Sequence, residues 1–486
     1  MTAPKTVLLY DDTRRLPEAV RDLLPVRRFG DLMSGGVPNA RRVAAAAAAA
    51  GLVWRHLRTR EDWEDLADDA RRGRLPSQAL WWPARLFPTE PDDGAELLRQ
   101  IALLDPGTAV RPEGAGDGRI LRLDVTGIAR LAQHSLDGAD SLVADLAAVE
   151  APAAAGALDL ADPLQCLRFL SGAFRTRFFN DIVRERDTVV KRSADRAKMK
   201  AEHDFWYLLP PEMQRYFVQP YGFEDDGTVA SYRMERLGIP DASVLWTHGA
   251  FREDAFADLL DRLFAFLRAR PRRAASADQV AAAREALHGK KLANRVAHLQ
   301  TLPLWQTLDP LLRAAYPGGL DGALAQHASL RRRIRPPDYR HLALGHGDLC
   351  LSNILYDPRT GLLRLIDPKG GTNLEALFTD PGYDLAKLSH SVLGGYDFVV
   401  KGLAPITIGP DMAPAVAIPD QDVASHQALF RARIAEEGLN IDAVRLDEAS
   451  LFLSMLPLHA DDPRRVLGLA LVGVGIVADL ARRHGA

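Results

Sequence analysis

The sequence of 486 residues has only two cysteines, Cys166 and Cys350, far apart and outside any CxxC or Cys/His cluster. That excludes a disulfide framework and a cysteine-based structural zinc site, and it suits a reducing compartment. Charge of one sign is missing too. The 61 Lys and Arg stand against 64 Asp and Glu, a net −3, which argues against a chain whose main task is gripping nucleic acid or an anionic bilayer. The longest apolar run, "VLGLALVGVGIVA" from Val466 to Ala478, falls short of the roughly 18 residues of a membrane span. It reads as a buried C-terminal helix. No basic, apolar and small-residue succession opens the chain as a signal peptide would, because "MTAPKTVLLYDD" turns acidic, so a cytoplasmic protein is expected. Repeats at a fixed interval and a GxGxxG phosphate loop are also lacking.

What is present is a globular balance, 47% hydrophobic and 26% charged, and at about 150 residues per domain the length allows two to four domains. Near the start, "TVLLY" reads as a buried strand entering the loop "DDTRRLP", and "VAAAAAAAGLVWRHL" as a strong helix former running into a further apolar stretch. Strand candidates follow in "QALWWPARLF" and "GRILRLDVTGIARL", the latter closing with a helical pattern through "GIARLAQHSLDGADSLVADLAAVEA". This alternation predicts an α/β module to about residue 160, where "APAAAGALDLADP", poor in large apolar residues, suits a boundary. Beyond it, "RTRFFNDIVRERDTVVKRS" predicts two strands around a polar turn, "ADRAKMKAEHDFWYLL" a helix and "VASYRMERL" another strand. Past "GIPDASVL" the pattern is mostly helical.

One stretch departs from it. In "HGDLCLSNILYDPRTGLLRLIDPKGG", His346 to Gly371, Asp348 precedes Asn353 by five positions, and the strand-like "NILY" leads through the turn "DPRTG" into "LLRLID". Phosphoryl transfer asks for metal ions on the phosphates and an acid that orients the acceptor hydroxyl. Asp348 offers the base and Asn353 a metal-binding amide on one loop, and the hairpin returns Asp367 beside Asn353. Two oxygen ligands from different strand ends suit Mg²⁺. Cys350, inside the loop, has no paired base for nucleophilic use and is expected to pack beneath it.

"HGDLCLSN" with the downstream "LIDP" resembles the catalytic and metal loops of the aminoglycoside phosphotransferase and choline kinase family, which share the protein-kinase fold. It is also similar to kinase-like proteins encoded among bacterial capsule and surface-polysaccharide genes. "DPGYDLAKL" matches the family's DPxYDLA segment, and the resemblance covers roughly residues 170 to 480. It implies Asp348 as catalytic base with Asn353 beside it, Asn353 and Asp367 as metal ligands, and His346 and Asp384 as residues steadying the catalytic loop; for Asp384 the rival reading is a helix cap. It implies further a lysine that binds nucleotide phosphates, for which Lys191 is chosen over Lys198 and Lys200, and Glu202 on the next helix to hold it. Backbone amides near Phe179, Asn180 and Asp181 would approach the phosphates, and Met234 to Leu237, with Met234 and Glu235 leading, would form the hinge against adenine. Lys369, Gly370, Gly371 and Thr372 stand where the acceptor or the γ-phosphate would be met. His459 and Asp461 line the acceptor pocket or, in the rival reading, cap a helix end.

The expected fold is therefore α/β plus α+β: an N-terminal α/β module at 1–160, a kinase-like smaller lobe at 161–237, and a mostly helical larger lobe with the catalytic and metal loops at 238–486. The expected cofactors are ATP and Mg²⁺, and the expected partner is a small-molecule hydroxyl acceptor, a sugar or surface-polysaccharide precursor. Where protein kinases carry HRD this chain has His346-Gly347-Asp348, which ranks a protein kinase below the small-molecule enzyme; a nucleotide-binding pseudokinase is the other rival. The first 160 residues faintly resemble the opening of sugar nucleotidyltransferase-like proteins, without a GGxGTR signature.

Overall fold

The computed structural model describes residues 6–21, 28–34, 37–74, 77–88, 93–137, 148–150, 156–170, 181–184, 188–409, 413–418 and 423–485. The chain divides into two compact units, Met1–Phe174 and Arg175–Ala486. The first holds a six-stranded mixed sheet in the order Val53–Leu57, Val7–Asp11, Gln78–Pro83, Ile120–Asp124, Thr108–Arg111, Ala148–Glu150. Val7–Asp11 pairs in parallel with both neighbours, and its residues Val7 to Tyr10 are all buried, the pattern of a strand covered on both faces. Parallel neighbours need crossovers, which the helices Asn39–Ala49 and Arg60–Arg71 supply. The second helix starts at a capping box in which Thr59 and Asp62 satisfy each other's backbone N–H groups.

Two expectations change here. The helical pattern through "SLVADLAAVEA" does not reach its end, because Ala148–Glu150 pairs in parallel with Thr108–Arg111. An open sheet edge presents unpaired N–H and C=O groups, and completing them outweighs a modest helix propensity. The division between units falls after Phe174, not near residue 160. Within the supposed boundary, Ala157–Asp159 pairs antiparallel with Leu86–Pro88. The helix Pro163–Leu170 follows and sets Phe169 edge-on to Phe87, ring centres 4.5 Å apart. Small residues there make a strand that fits closely, not a linker.

The second unit opens with a four-stranded antiparallel sheet, Asp181–Arg184, Thr188–Ser193, Ala230–Glu235 and Pro220–Asp225 in that order. The helix Arg196–Leu208 follows the second strand and is capped by Asp195, whose carboxylate accepts the Lys198 N–H at 3.1 Å. Met199 of this helix packs on Ala230 and Tyr232 of the sheet. Helices then dominate, among them Glu253–Ala269, Gly319–Arg333, Tyr383–Val392, Ile441–Met455 and Pro463–His484. The last contains the long apolar run; among the described residues no helix is long and apolar enough to cross a membrane. The expected hairpin forms from Ile354–Asp357 and Leu362–Leu365, with Ile354 opposite Leu365.

Candidate active site

The hairpin sets the site's spacing. Ile366 N–H donates to Asn353 O at 3.0 Å, so Asn353 stands opposite Ile366 and Asp367 follows one position beyond it, diagonal to Asn353. Asn353 folds back on its own loop: its Nδ2 donates to Asp348 O at 2.9 Å and to Asp348 Oδ2 at 3.2 Å. The other carboxylate oxygen of Asp348 faces Lys387 Nζ at 2.8 Å. Burial alone would depress the Lys387 ammonium, but Asp348 outweighs it and holds the pKa above the ordinary lysine value.

His346 ties the two loops together. Its Nδ1 accepts the Asp348 N–H at 3.1 Å, so its Nε2 carries the proton and donates to Ile366 O at 3.0 Å. Burial lowers its pKa, in keeping with that neutral tautomer. Asp384, wholly buried, accepts the N–H groups of both His346 and Gly347 at 2.8 Å and also takes Arg270 Nη1 at 2.8 Å. The helix Tyr383–Val392 has Gly382 at its N-cap without a side-chain cap, so Asp384 anchors the loop and does not cap the helix. Gly347 has φ +82°, and a Cβ there would lie 2.6 Å from the Lys369 Cβ. Only glycine fits this position.

On the sheet, Lys191 is 2% exposed, and its Nζ sits between Glu202 Oε2 at 2.5 Å and Asp367 Oδ1 at 2.7 Å. Burial would lower its pKa; Asp367 and Glu202 together raise it above the ordinary value. Tyr232 OH donates to Glu202 Oε2 at 3.2 Å and fixes that carboxylate from the sheet. Asp367 has φ +57°, the one non-glycine residue with positive φ among those described. An acid held in this region stores strain of about 1 kcal/mol or more, a cost found most often at functional sites. Gly370 lies three positions on with φ +70°, where a Cβ would run into the Ala201 carbonyl oxygen, so the loop after Asp367 lies directly on the backbone of the helix Arg196–Leu208.

Asp348, Asn353, Asp367, Lys191, Glu202, His346 and Asp384 are thus joined in one network. Of the rival lysines, Lys200 pairs with Asp204 at 2.7 Å and Lys198 reaches only the outer oxygen of Glu202, at 3.7 Å. Met234 lines a small cavity with Glu202, Phe205, Tyr232, Leu365 and Asp367, while Glu235 is exposed at its strand's end. Phe179 and Asn180 lie outside the described residues. His459 and Asp461 do not share a surface: His459 is buried with Nδ1 3.5 Å from Arg465, and Asp461 is exposed, 3.7 Å from the same arginine. The order of a helix end explains this, since side chains two apart point to opposite sides. Cys350 is buried, and burial pushes its thiol well above the ordinary value.

Two residues of this network escaped the sequence reading. Lys387 lies inside the quoted "DPGYDLAKL", one turn after Asp384, and the i, i+3 spacing that puts both on one helix face was the available signal. Arg270, in "RARPRR", carried none. It reaches Asp384 across 114 positions of sequence.

No family model matches the chain, and no curated protein does. Solved structures similar to it include a thermostable mutant of aminoglycoside phosphotransferase APH(4)-Ia in its apo form, 13% identical over 63% of this chain and 94% of that one, with a TM-score of 0.37. A glucosamine kinase is 16% identical over 61% of this chain and 76% of its own, with a TM-score of 0.35. Aminoglycoside phosphotransferase APH(3'')-Id from Streptomyces rimosus, in complex with ADP and streptomycin, is 20% identical over 61% and 98%, with a TM-score of 0.30.

Proposed function

We propose that the second unit is a protein-kinase-like, ATP- and Mg²⁺-dependent phosphotransferase that acts on a hydroxyl of a small molecule, a sugar or surface-polysaccharide precursor. One observation carries the reading. A buried lysine on the sheet is held by a helix glutamate and by Asp367, and a hairpin joins Asp367 to the loop bearing Asp348 and Asn353.

The donor set suits a hard divalent cation. Asn353 commits its amide N–H to Asp348 and keeps Oδ1, while Asp367 commits Oδ1 to Lys191 and keeps Oδ2. Asn353 and Asp367 would hold the ion, and bound Mg²⁺ neutralises charge on the β- and γ-phosphates. Lys191 would pair with the nucleotide phosphates. In the transfer, the acceptor oxygen bonds to the γ-phosphorus as the bond to the β,γ-bridging oxygen breaks. ADP leaves with that electron pair, and the hydroxyl proton passes to Asp348. Lys387 and Asn353 grip the two oxygens of that carboxylate, so it meets the hydroxyl in one orientation. The positive φ of Gly347 and the Lys369 side chain against it exclude the arginine that protein kinases carry at this position, which supports a small-molecule acceptor over a polypeptide one.

The test is the melting shift produced by ATP with Mg²⁺ in wild type and in Asp367→Ala. Ligand at 100 times its Kd adds about 2.7 kcal/mol, enough to move Tm by several degrees. A metal-dependent shift in wild type that disappears in the variant is expected. No shift in either protein overturns the reading.

A further inference from the structure

Around Asp348 the helical part of the second unit gathers cations whose pairing differs from that of Lys191. The helix Ala277–Glu285 continues through a single π turn, Ala286–Lys290, into Lys291–Thr301. Such a turn re-aims the helix face that follows it and recurs at functional sites. The first residue after it, Lys291, is largely buried; its Nζ donates to the Tyr383 hydroxyl at 3.0 Å and lies 5.5 Å from the centre of that ring. Tyr383 belongs to the same helix as Asp384 and Lys387, directly beneath the loop of Asp348. Arg295 stands one turn on from Lys291, on the same face. Lys369, exposed, lies against the loop of Asp348, its backbone N–H on His346 O at 2.8 Å and its stem against Gly347.

Lys387 has a carboxylate partner in Asp348. Among the described residues, Lys291, Arg295 and Lys369 form no ion pair, whereas Lys191, Arg270 and Lys387 are each paired with an acid of the network. Burial pushes the Lys291 amine down to about 8, with Lys387, Lys369 and Arg295 adding to the effect against Asp348. Largely burying an ammonium without a counter-charge is unfavourable, and a bound anion removes that cost. An acceptor carrying several ammonium groups would meet three uncompensated cations instead.

We propose that Lys291, Arg295 and Lys369 form an anion subsite for the acceptor, so that the compound phosphorylated beside Asp348 carries a carboxylate or a phosphate ester of its own. This rests on the kinase reading above. The hydroxyl is then delivered to Asp348 by the grip on the neighbouring anionic group, and the subsite selects against neutral and cationic sugars.

The experiment loads the full chain with ADP and Mg²⁺ and titrates methyl phosphate, D-glucuronate, D-glucose and D-glucosamine by calorimetry into wild type, Lys291→Gln, Lys291→Arg and Arg295→Gln. At least one anionic probe is expected to bind ten times or more tighter than glucose, and glucosamine weaker still. Lys291→Gln and Arg295→Gln should each weaken that probe at least tenfold, Lys291→Arg less than threefold, and ADP binding should change less than twofold in all. The tighter of the two anions identifies the group as phosphate ester or carboxylate. Absence of binding by both anions, glucosamine binding as well as either, or unchanged anion affinity in both glutamine variants would overturn the proposal. It falls also if Lys291→Gln weakens AMP-PNP but not ADP, since the cations then hold the γ-phosphoryl group. A wild-type chain that binds no ADP overturns the kinase reading instead. Methyl phosphate titrated into the nucleotide-free chain then reads the subsite alone, with a tenfold loss in Lys291→Gln supporting an anion site and no loss overturning it.

Discussion

Asp12 in the first unit and Asp367 in the second both stand just beyond the end of a strand, yet they are used in opposite ways. Asp12 is wholly buried; its Oδ1 accepts the Gly30 N–H at 3.0 Å, and its Oδ2 lies 3.4 Å from His56 Nε2 and 3.9 Å from Arg58 Nε. A Cβ on Gly30 would come within 2.5 Å of that same oxygen, so the acid fills its niche. Asp367 has a side chain 38% exposed, a left-handed backbone, and one oxygen on Lys191 with the other uncommitted. An acid whose bonding capacity is closed by its own surroundings holds a fold together. One kept under backbone strain with an oxygen to spare is set for a ligand.

Substitutions break that comparison in graded steps. The largest effect expected is on chemistry: Asp348→Ala should lower phosphate transfer by about 10²- to 10⁴-fold, the usual contribution of a positioned base, while ADP binding persists. Transfer kinetics and ADP calorimetry on the same protein check it, and turnover at the wild-type rate refutes the assigned base. Next comes Asp12→Ala, which leaves the Gly30 N–H unsatisfied in the core. It should cost about 2 kcal/mol in urea unfolding of the first unit and leave nucleotide affinity alone; loss of nucleotide binding would show that Asp12 is not confined to holding its own fold. Gly347→Ala should cost about 1–2 kcal/mol from the left-handed backbone, with the clash on Lys369 added, and should lower transfer more than ADP affinity because it moves the loop of Asp348.

The smallest effect is a pH dependence. Burial depresses the pKa of Lys291 to about 8, with Lys387, Lys369 and Arg295 adding to the effect, Asp348 opposing them and the Tyr383 hydroxyl accepting a hydrogen bond from the ammonium. Below that value the ammonium grips an anion, so methyl phosphate affinity should be steady at neutral pH and fall as pH rises through about 8. The sign for stability is the reverse. The folded chain gives up this proton before the unfolded chain does, so the group's contribution to stability grows from about pH 8 toward the ordinary lysine value. Affinity that stays flat from pH 7 to pH 9 would remove Lys291 from the subsite.

Much of the site was legible because its parts are close in sequence. The spacing of Asp348, Asn353 and Asp367 around a turn permits one hairpin, and a hairpin's ladder fixes which residues face each other. The strand bearing Lys191 and the helix bearing Glu202 were readable from the strand-like runs around a polar turn and the helical pattern that follows them. The helix expected to run through "AVEA" was misread because Ala and Glu favour a helix locally while the vacant edge beside Thr108–Arg111 was invisible. The boundary near residue 160 failed in the same way, since "ALD" pairs with a strand far earlier in the chain.

By itself, then, the sequence determined which residues make up the proposed site's loop and how the hairpin brings Asn353 toward Asp367, because these depend on a few peptide units and the period of a strand. Only the tertiary structure decided that Asp384 and Arg270 would hold the loop of Asp348, that Lys387 would take one oxygen of that acid, and that Lys291, Arg295 and Lys369 would gather near it with no ion pair of their own among the described residues. Those contacts join helices and loops distant in sequence. Charge and burial set their partners, and neither is defined until the helices pack.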